Sequence, residues 1–385
     1  MFFMLKLVLI FLLNKTHAHT TQDIERILLP ALNTTEIKEI PLTLKVFGKQ
    51  IKLNLRRNDK NVSSNCKYKI WKHDAKDITI GLSELHASDP CYYFHKTRIS
   101  TAAINVCQKY GWEGFVFLKD DTLEIKTLRN NHASLSFMND LCIKEEVNIS
   151  FGKPHLIKRS SQSFADTSFP HLDNFVMKRR HVQNTQIKLT MQLAVFLDEA
   201  AYRTFKPFLG EDKETLRMLI LVYVNRIQAV FHHPSLGVSI DISLVHLEIM
   251  DEQPLNLPVF GGNDDKLLDS FCDYAATRNP PDDNDPNHWD VSLYLTGINI
   301  YSTEEDDLGS IGISNVDSVC DSNESCVIVE FGIPDKLSSG FSSSLTAAHE
   351  IGHVLGMLHD SDYEIPCDAY KYIMSSDQYY QGQVT

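Results

Sequence analysis

Residues 349–360 read His-Glu-Ile-Gly-His-Val-Leu-Gly-Met-Leu-His-Asp, and that spacing commits the segment to a helix, a sharp turn and a metal site at once. His349 and His353 are four apart, so on a helix their imidazoles share one face and aim at one point. Gly356 can adopt a backbone conformation closed to other residues, which lets the helix end and the chain swing back. The turn brings His359 round as a third ligand. Three protein nitrogens leave one coordination position open, the arrangement of catalytic rather than structural zinc. Glu350, beside the first ligand, is placed to take a proton from water activated at that position.

A second element follows 15 residues after His359, at Tyr372-Ile373-Met374-Ser375-Ser376. A methionine in a tight turn at this spacing resembles the Met-turn that floors the zinc site of metzincin proteases. Asp360, directly after the third histidine, resembles the reprolysin (adamalysin) branch, the ADAM, ADAMTS and snake-venom enzymes. Gly356, Asp360 and Met374 are therefore expected to support the site that His349, His353, His359 and Glu350 form.

Length and charge set the frame. A chain of 385 residues with 43% hydrophobic content can bury a sizeable core and suits two domains. Its formal net charge of −13 argues against nucleic acid as a partner, and no polybasic membrane patch is present. Residues 1–18 read as a secretory signal: one lysine, then the apolar run Leu7–Leu13, then Thr16-His17-Ala18. That run is too short to span a bilayer, so export to the extracellular space is expected. Export permits disulfides among Cys66, Cys91, Cys107, Cys142, Cys272, Cys320, Cys326 and Cys367. The sequons at Asn33, Asn61, Asn148 and Asn323 fit a secreted glycoprotein.

The first half, residues 19–180, is read as mainly β. Leu42–Phe47 and Ile78–Leu82 look like strands, and 114–118 with 123–128 suggest a hairpin around Asp120-Asp121. The stretch from Cys91-Tyr92-Tyr93 through Cys107 to Gly111-Trp112-Glu113-Gly114 resembles a reprolysin propeptide. A thiolate can occupy zinc's open position, and Cys142 is the candidate for such a cysteine switch, with a propeptide disulfide as the alternative. Residues 151–181 read as a linker, and Lys178-Arg179-Arg180 as a processing site at or near Arg180.

From Ile187 the pattern turns α/β. Strands are expected at 188–197, 238–245 and 290–296, and helices at 214–231, 264–276 and 342–356. With His232–Gly237, His288-Trp289-Asp290 and the segment Leu308-Gly309 through Cys320, residues 187–376 resemble an ADAMTS-type catalytic domain. The resemblance implies a metzincin domain over 187–385: a twisted mixed sheet with long helices, a zinc helix and a Met-turn. It also implies an edge strand at 308–314 to hold substrate, and a Cys272–Cys326 disulfide. Cys320 and Cys367 then either await partners or pair with each other. A structural calcium is a further expectation, with Asp290 as one ligand and Gln192 as a weak one. Pocket-wall elements that the family places after the Met-turn are not found in the 11 residues after Met374, so the domain is expected to be incomplete at its C-terminus.

The expected function is a secreted zinc endopeptidase, made as a zymogen and acting on extracellular proteins, matrix proteins among them. The alternative is a secreted binding or decoy protein that keeps the fold without turnover. A zinc amidase for small molecules is disfavoured by the long N-terminal half.

Overall fold

In the computed structural model the described residues are 24–30, 32, 37–58, 62–71, 91–97, 100–107, 111–118, 122–127, 153–160, 189–209, 213–233, 236–302, 311–331, 343–363 and 372–376. The expected signal, the strand at 78–82, Cys142, Lys178–Arg180 and Cys367 all lie outside them; of the expected linker 151–181, residues 153–160 are described and form a strand paired on both sides, which corrects the linker reading there.

Eight strands of the first half form one antiparallel sheet: β1 (Ile24–Leu29), β2 (Glu39–Val46), β3 (Lys49–Arg57), β5 (Tyr92–Lys96), β6 (Ser100–Cys107), β7 (Gly111–Leu118), β8 (Thr122–Thr127) and β9 (Lys153–Ser160). Their spatial order is β1-β9-β8-β7-β6-β5-β3-β2. Along β2 buried Ile40, Leu42, Leu44 and Val46 alternate with exposed residues, the period of a strand with one face covered. The expected hairpin is β7–β8, with Phe117 opposite Thr122.

The second sheet has the order β13-β14-β12-β10-β11-β4. It is built from β10 (Leu189–Leu197), β11 (Ile240–Met250), β12 (Val291–Thr296), β13 (Gly312–Ser314) and β14 (Cys326–Glu330), joined by β4 (Val62–Trp71). All its neighbours run parallel except β13, which is antiparallel to β14. Parallel strands are covered on both faces, which is why β12 is buried throughout. The helices are α1 (Glu199–Leu209), α2 (Lys213–Phe231), α3 (Asp264–Ala276) and α4 (Ser343–Val354).

Strand alternation sorts β10 between two cores. Leu193, Val195 and Leu197 pack with Leu216, Ile220, Val224 and Ile227 of α2 and with Ala347 and Ile351 of α4. Ala194 and Phe196 pack on the other face with Leu267, Phe271 and Tyr274 of α3. Each Val, Leu, Ile or Phe among them contributes about 1.5–3 kcal/mol on burial. A disulfide joins Cys272 of α3 to Cys326 at the start of β14, with Cα atoms 5.6 Å apart, so the implied pairing is present.

The two sheets share a core. Tyr92, Ala103, Phe115 and Phe117 of the antiparallel sheet pack into the α2 cluster. The buried Arg226 of α2 lies over the Phe115 ring at 4.5 Å, and Asn58 donates to Asn225 at 3.0 Å. β4 belongs by sequence to the first half, yet it extends the second sheet by pairing with β11, from Val62 opposite Leu244 to Trp71 opposite Met250. No helix among the described residues is long and apolar enough to cross a membrane.

Candidate metal centre

Helix α4 carries the first two histidines, and its buried face includes Ala347, Ala348, Ile351 and Val354. The helix stops because of Gly356, whose φ of 88° is a left-handed value. Gly356 N–H donates to the His353 carbonyl at 2.8 Å and Met357 N–H to the Gly352 carbonyl at 2.9 Å. This pair of bonds is a Schellman cap, which satisfies carbonyls the helix would otherwise leave open. Further donors come from outside the helix: Asp317 N–H also donates to the His353 carbonyl, and Ser318 and Val319 both donate to that of Val354. The loop after β13 is thereby clamped to the end of α4.

The turn delivers His359 to the other two histidines. The Nε2 atom of His353 lies 3.0 Å from Nε2 of His349 and 3.1 Å from Nε2 of His359. The His349 Nδ1–H donates to the Ile373 carbonyl at 2.6 Å, and the His353 Nδ1–H to the Met357 carbonyl at 2.7 Å. A carbonyl can only accept, so each Nδ1 holds the proton and each Nε2 presents a bare lone pair. Two lone pairs facing each other at 3.0 Å repel, and a cation between them removes the conflict. Zinc bound tetrahedrally at about 2.05 Å would set its nitrogen ligands about 3.3 Å apart, close to these separations. Burial pushes His349 down to about 4 and lowers His353, which keeps both imidazoles neutral, the ligating form.

These backbone acceptors fix ring orientation as outer-shell partners do in metal sites. One of them, Ile373, lies in the segment 372–376, which is pinned by a 2.8 Å bond from Asp360 N–H to the Met374 carbonyl. Met374 is buried, and its sulfur would lie 2.8 Å from a Cβ placed on Gly352, so the segment packs directly against the ligand helix. Asp360 is buried, and burial raises its carboxyl above the usual range.

Glu350 faces β13. Ser314 Oγ lies 2.8 Å from Glu350 Oε2 and 3.0 Å from the Glu350 carbonyl. A Cβ on Gly312 would stand 2.8 Å from Glu350 Oε1. Burial pushes Glu350 up to about 7, with the Ser314 hydroxyl pulling the other way. A nearby cation also favours the carboxylate. Of the expected edge strand at 308–314, residues 312–314 form a strand at the outer position of the sheet, and 308–310 lie outside the described residues. Ser314 fell within that expected strand without a side-chain role. Nothing in its local sequence says that it meets Glu350, because the contact depends on how β13 crosses α4.

Cys91 is in a disulfide, and Cys320 is exposed and free. A second group could hold a cation: ligand atoms of Asp283, His288 and Asp290 lie within 4.8 Å of one another. Asp290 Oδ2 is already engaged, accepting from Gln192 N–H at 2.6 Å. Asp290 and Gln192, the two expected calcium ligand positions, are thus joined by a bond that the Gln192 backbone makes.

Residues 219–360 match the family model for reprolysin-like metallo-peptidases of family M12B. Over that segment, which holds all three histidines, the chain is similar to a reprolysin-type metalloprotease catalytic domain. Zinc is the metal of that family, and the residues that converge here suit it. Among curated relatives, the chain is 26% identical over 340 residues to "A disintegrin and metalloproteinase with thrombospondin motifs adt-1" of Caenorhabditis elegans, covering 80% of this chain and 22% of that protein. It is 33% identical over 152 residues to "A disintegrin and metalloproteinase with thrombospondin motifs 4" of Rattus norvegicus, covering 40% of this chain and 22% of that one. The chain therefore spans about a fifth of the length of these reprolysin-type relatives.

Proposed function

We propose that this chain is a secreted zinc endopeptidase, made as a zymogen, that hydrolyses peptide bonds of extracellular proteins, with His349, His353 and His359 as zinc ligands and Glu350 as general base. The observation that carries this reading is the convergence of three imidazole nitrogens, two of them from the helix whose buried Glu350 meets the outer strand of the sheet. Zinc, when bound, supplies a Lewis acid that makes water nucleophilic at neutral pH.

The chain's own residues supply the rest. β13 is outermost in the sheet, and an extended substrate adding to it would be held by main-chain hydrogen bonds. Glu350 takes the proton of the attacking water and passes it to the leaving amine. Burial raises this carboxyl and a bound cation would favour its charged form, so the group can take the water proton and pass it on. Residues 1–18 serve as the signal and 19–180 as the propeptide, released at or near Arg180. Cys142 is the candidate thiolate that holds the zymogen silent. Calcium at Asp290 is a lesser part of the reading, supported by the clustering of Asp283 and His288 around it.

The test is cleavage of a denatured protein substrate by the secreted, processed chain beside Glu350→Ala, with and without a zinc chelator. Turnover in the parent alone, lost on chelation and restored by zinc, is the expected result. Stoichiometric zinc with no turnover in either protein would favour the binding or decoy alternative.

A further inference from the structure

We infer that Ser314 is a positioning residue for Glu350, fixing one carboxylate oxygen from the strand that would receive substrate. The inference rests on the reading of Glu350 as general base.

Residues 312 and 314 are two apart on β13, so they share the face that lies over α4. At Gly312 the strand passes so close to Glu350 that a side chain there would reach Oε1 and Cγ. At Ser314 the same face presents a hydroxyl at 2.8 Å from Oε2. Both acceptors within reach of the Ser314 hydroxyl, Oε2 and the main-chain carbonyl, belong to Glu350. Only the bond to Oε2 restrains the carboxylate's rotation, and a hydroxyl bonded to a charged oxygen makes the stronger link. With Oε2 held, Oε1 is the oxygen left to meet water.

The strand that gives this bond is itself fixed. β13 pairs with β14 through Gly312–Val329, Ile313–Ile328 and Ser314–Val327, and the following loop is bonded to the end of α4. Substrate register and base orientation would then be set by one rigid element, which is the condition for a base to act without first reorganising.

Ser314→Thr and Ser314→Val test this, because the two side chains match in shape and differ in the hydroxyl. Each is prepared as the full chain and compared for kcat, KM, zinc content and Tm, with Glu350→Gln alongside. We expect kcat of the valine variant to be about tenfold or more below the threonine variant, with KM, zinc content and Tm alike in the pair. Equal kcat values overturn the inference, and so does a difference that appears in KM, zinc content or Tm instead. If Glu350→Gln is inactive while the pair is equal, the base reading stands and Ser314 has no positioning role. An active Glu350→Gln removes the base reading and this inference with it. Should the branched variants fail to fold, Ser314→Ala against the parent is read by the same criteria.

Discussion

Replacing Gly312 by alanine adds one methyl group at the most crowded point of the site. That carbon would stand 2.8 Å from Glu350 Oε1, 2.8 Å from Thr346 Cγ2 and 2.9 Å from Glu350 Cγ. Heavy atoms in contact prefer about 3.5–4.0 Å, so something must yield by about 1 Å. The backbone itself raises no objection, since Gly312 is not among the glycines with positive φ. The strand cannot retreat as a unit, because β14 holds one side and the 317–319 loop is bonded to α4. Thr346 and Glu350 are both buried on α4, but the branched Thr346 side chain is held at one rotatable bond while Glu350 is long, so the displacement falls mainly on Glu350. Overpacking of this kind costs about 1–3 kcal/mol of stability, and a shift of about 1 Å in a catalytic group costs about 100-fold in rate. We therefore predict that Gly312→Ala folds, keeps full zinc occupancy and loses about two orders of magnitude in kcat/KM on a peptide substrate. The assay pairs that measurement with metal analysis and a thermal melt. Activity within threefold of the parent at full occupancy would refute the claim that β13 confines the carboxylate.

Gly356→Ala should act through the metal instead: a left-handed φ costs a non-glycine residue about 1–2 kcal/mol, and the added carbon would sit 3.2 Å from Asp317 Oδ1. Chelator competition should then show zinc affinity reduced about tenfold or more, because the turn no longer holds His359 in place. Removing the disulfide with Cys272→Ser and Cys326→Ser opens a link of sequence separation 54, for which loop entropy predicts a loss of about 4 kcal/mol, read as a lower Tm with activity per folded molecule retained. The antiparallel sheet should weaken in acid because burial pushes His155 down to about 4, below its ordinary 6.5. The unfolded chain then takes up the proton first, so the stability His155 contributes is complete above 6.5 and drains away towards 4. Hydrogen exchange across β7–β9 measured from pH 7 to 4 should show that slope, and His155→Gln should flatten it.

The clustering of the three histidines was legible because its information is local. Ligand spacing on a helix and a glycine at its end are properties of 11 consecutive residues, His349–His359, and the Schellman bonds realise what Gly356 announced. Helix α3 was equally legible, since the expected 264–276 coincides with the observed Asp264–Ala276. There Asn263 caps the first turn by accepting from Lys266 N–H, and the apolar period does the rest. The strand at 238–245 was found at Ile240–Met250 and runs further, because Leu247, Ile249 and Met250 are buried without the alternation that marks a half-exposed strand. Helix α1 and strand β14 went unmarked. β14 is only five residues long and buried over most of its length, so it carries no period to read.

What the sequence could not disclose was which elements meet across long separations. β4 lies by sequence in the first half, and no pattern in 62–71 distinguishes a partner in β5 from a partner in β11. Its place beside β11 means that the edge of the second sheet farthest from β13 is covered by residues from the other side of the expected boundary near 180–187. The same holds for α2, whose one face serves the parallel sheet while Arg226 and Asn225 meet Phe115 and Asn58. Helical periodicity reports that a face is buried and is silent on what buries it. Ser314 is the sharpest case. Its hydroxyl would pass for an ordinary exposed strand position until the crossing of β13 over α4 brings it to Glu350, 36 residues away. Side chains that tune a site by contact across the fold leave no spacing to read, so a motif identifies which groups do the chemistry and the packing decides how firmly they are held.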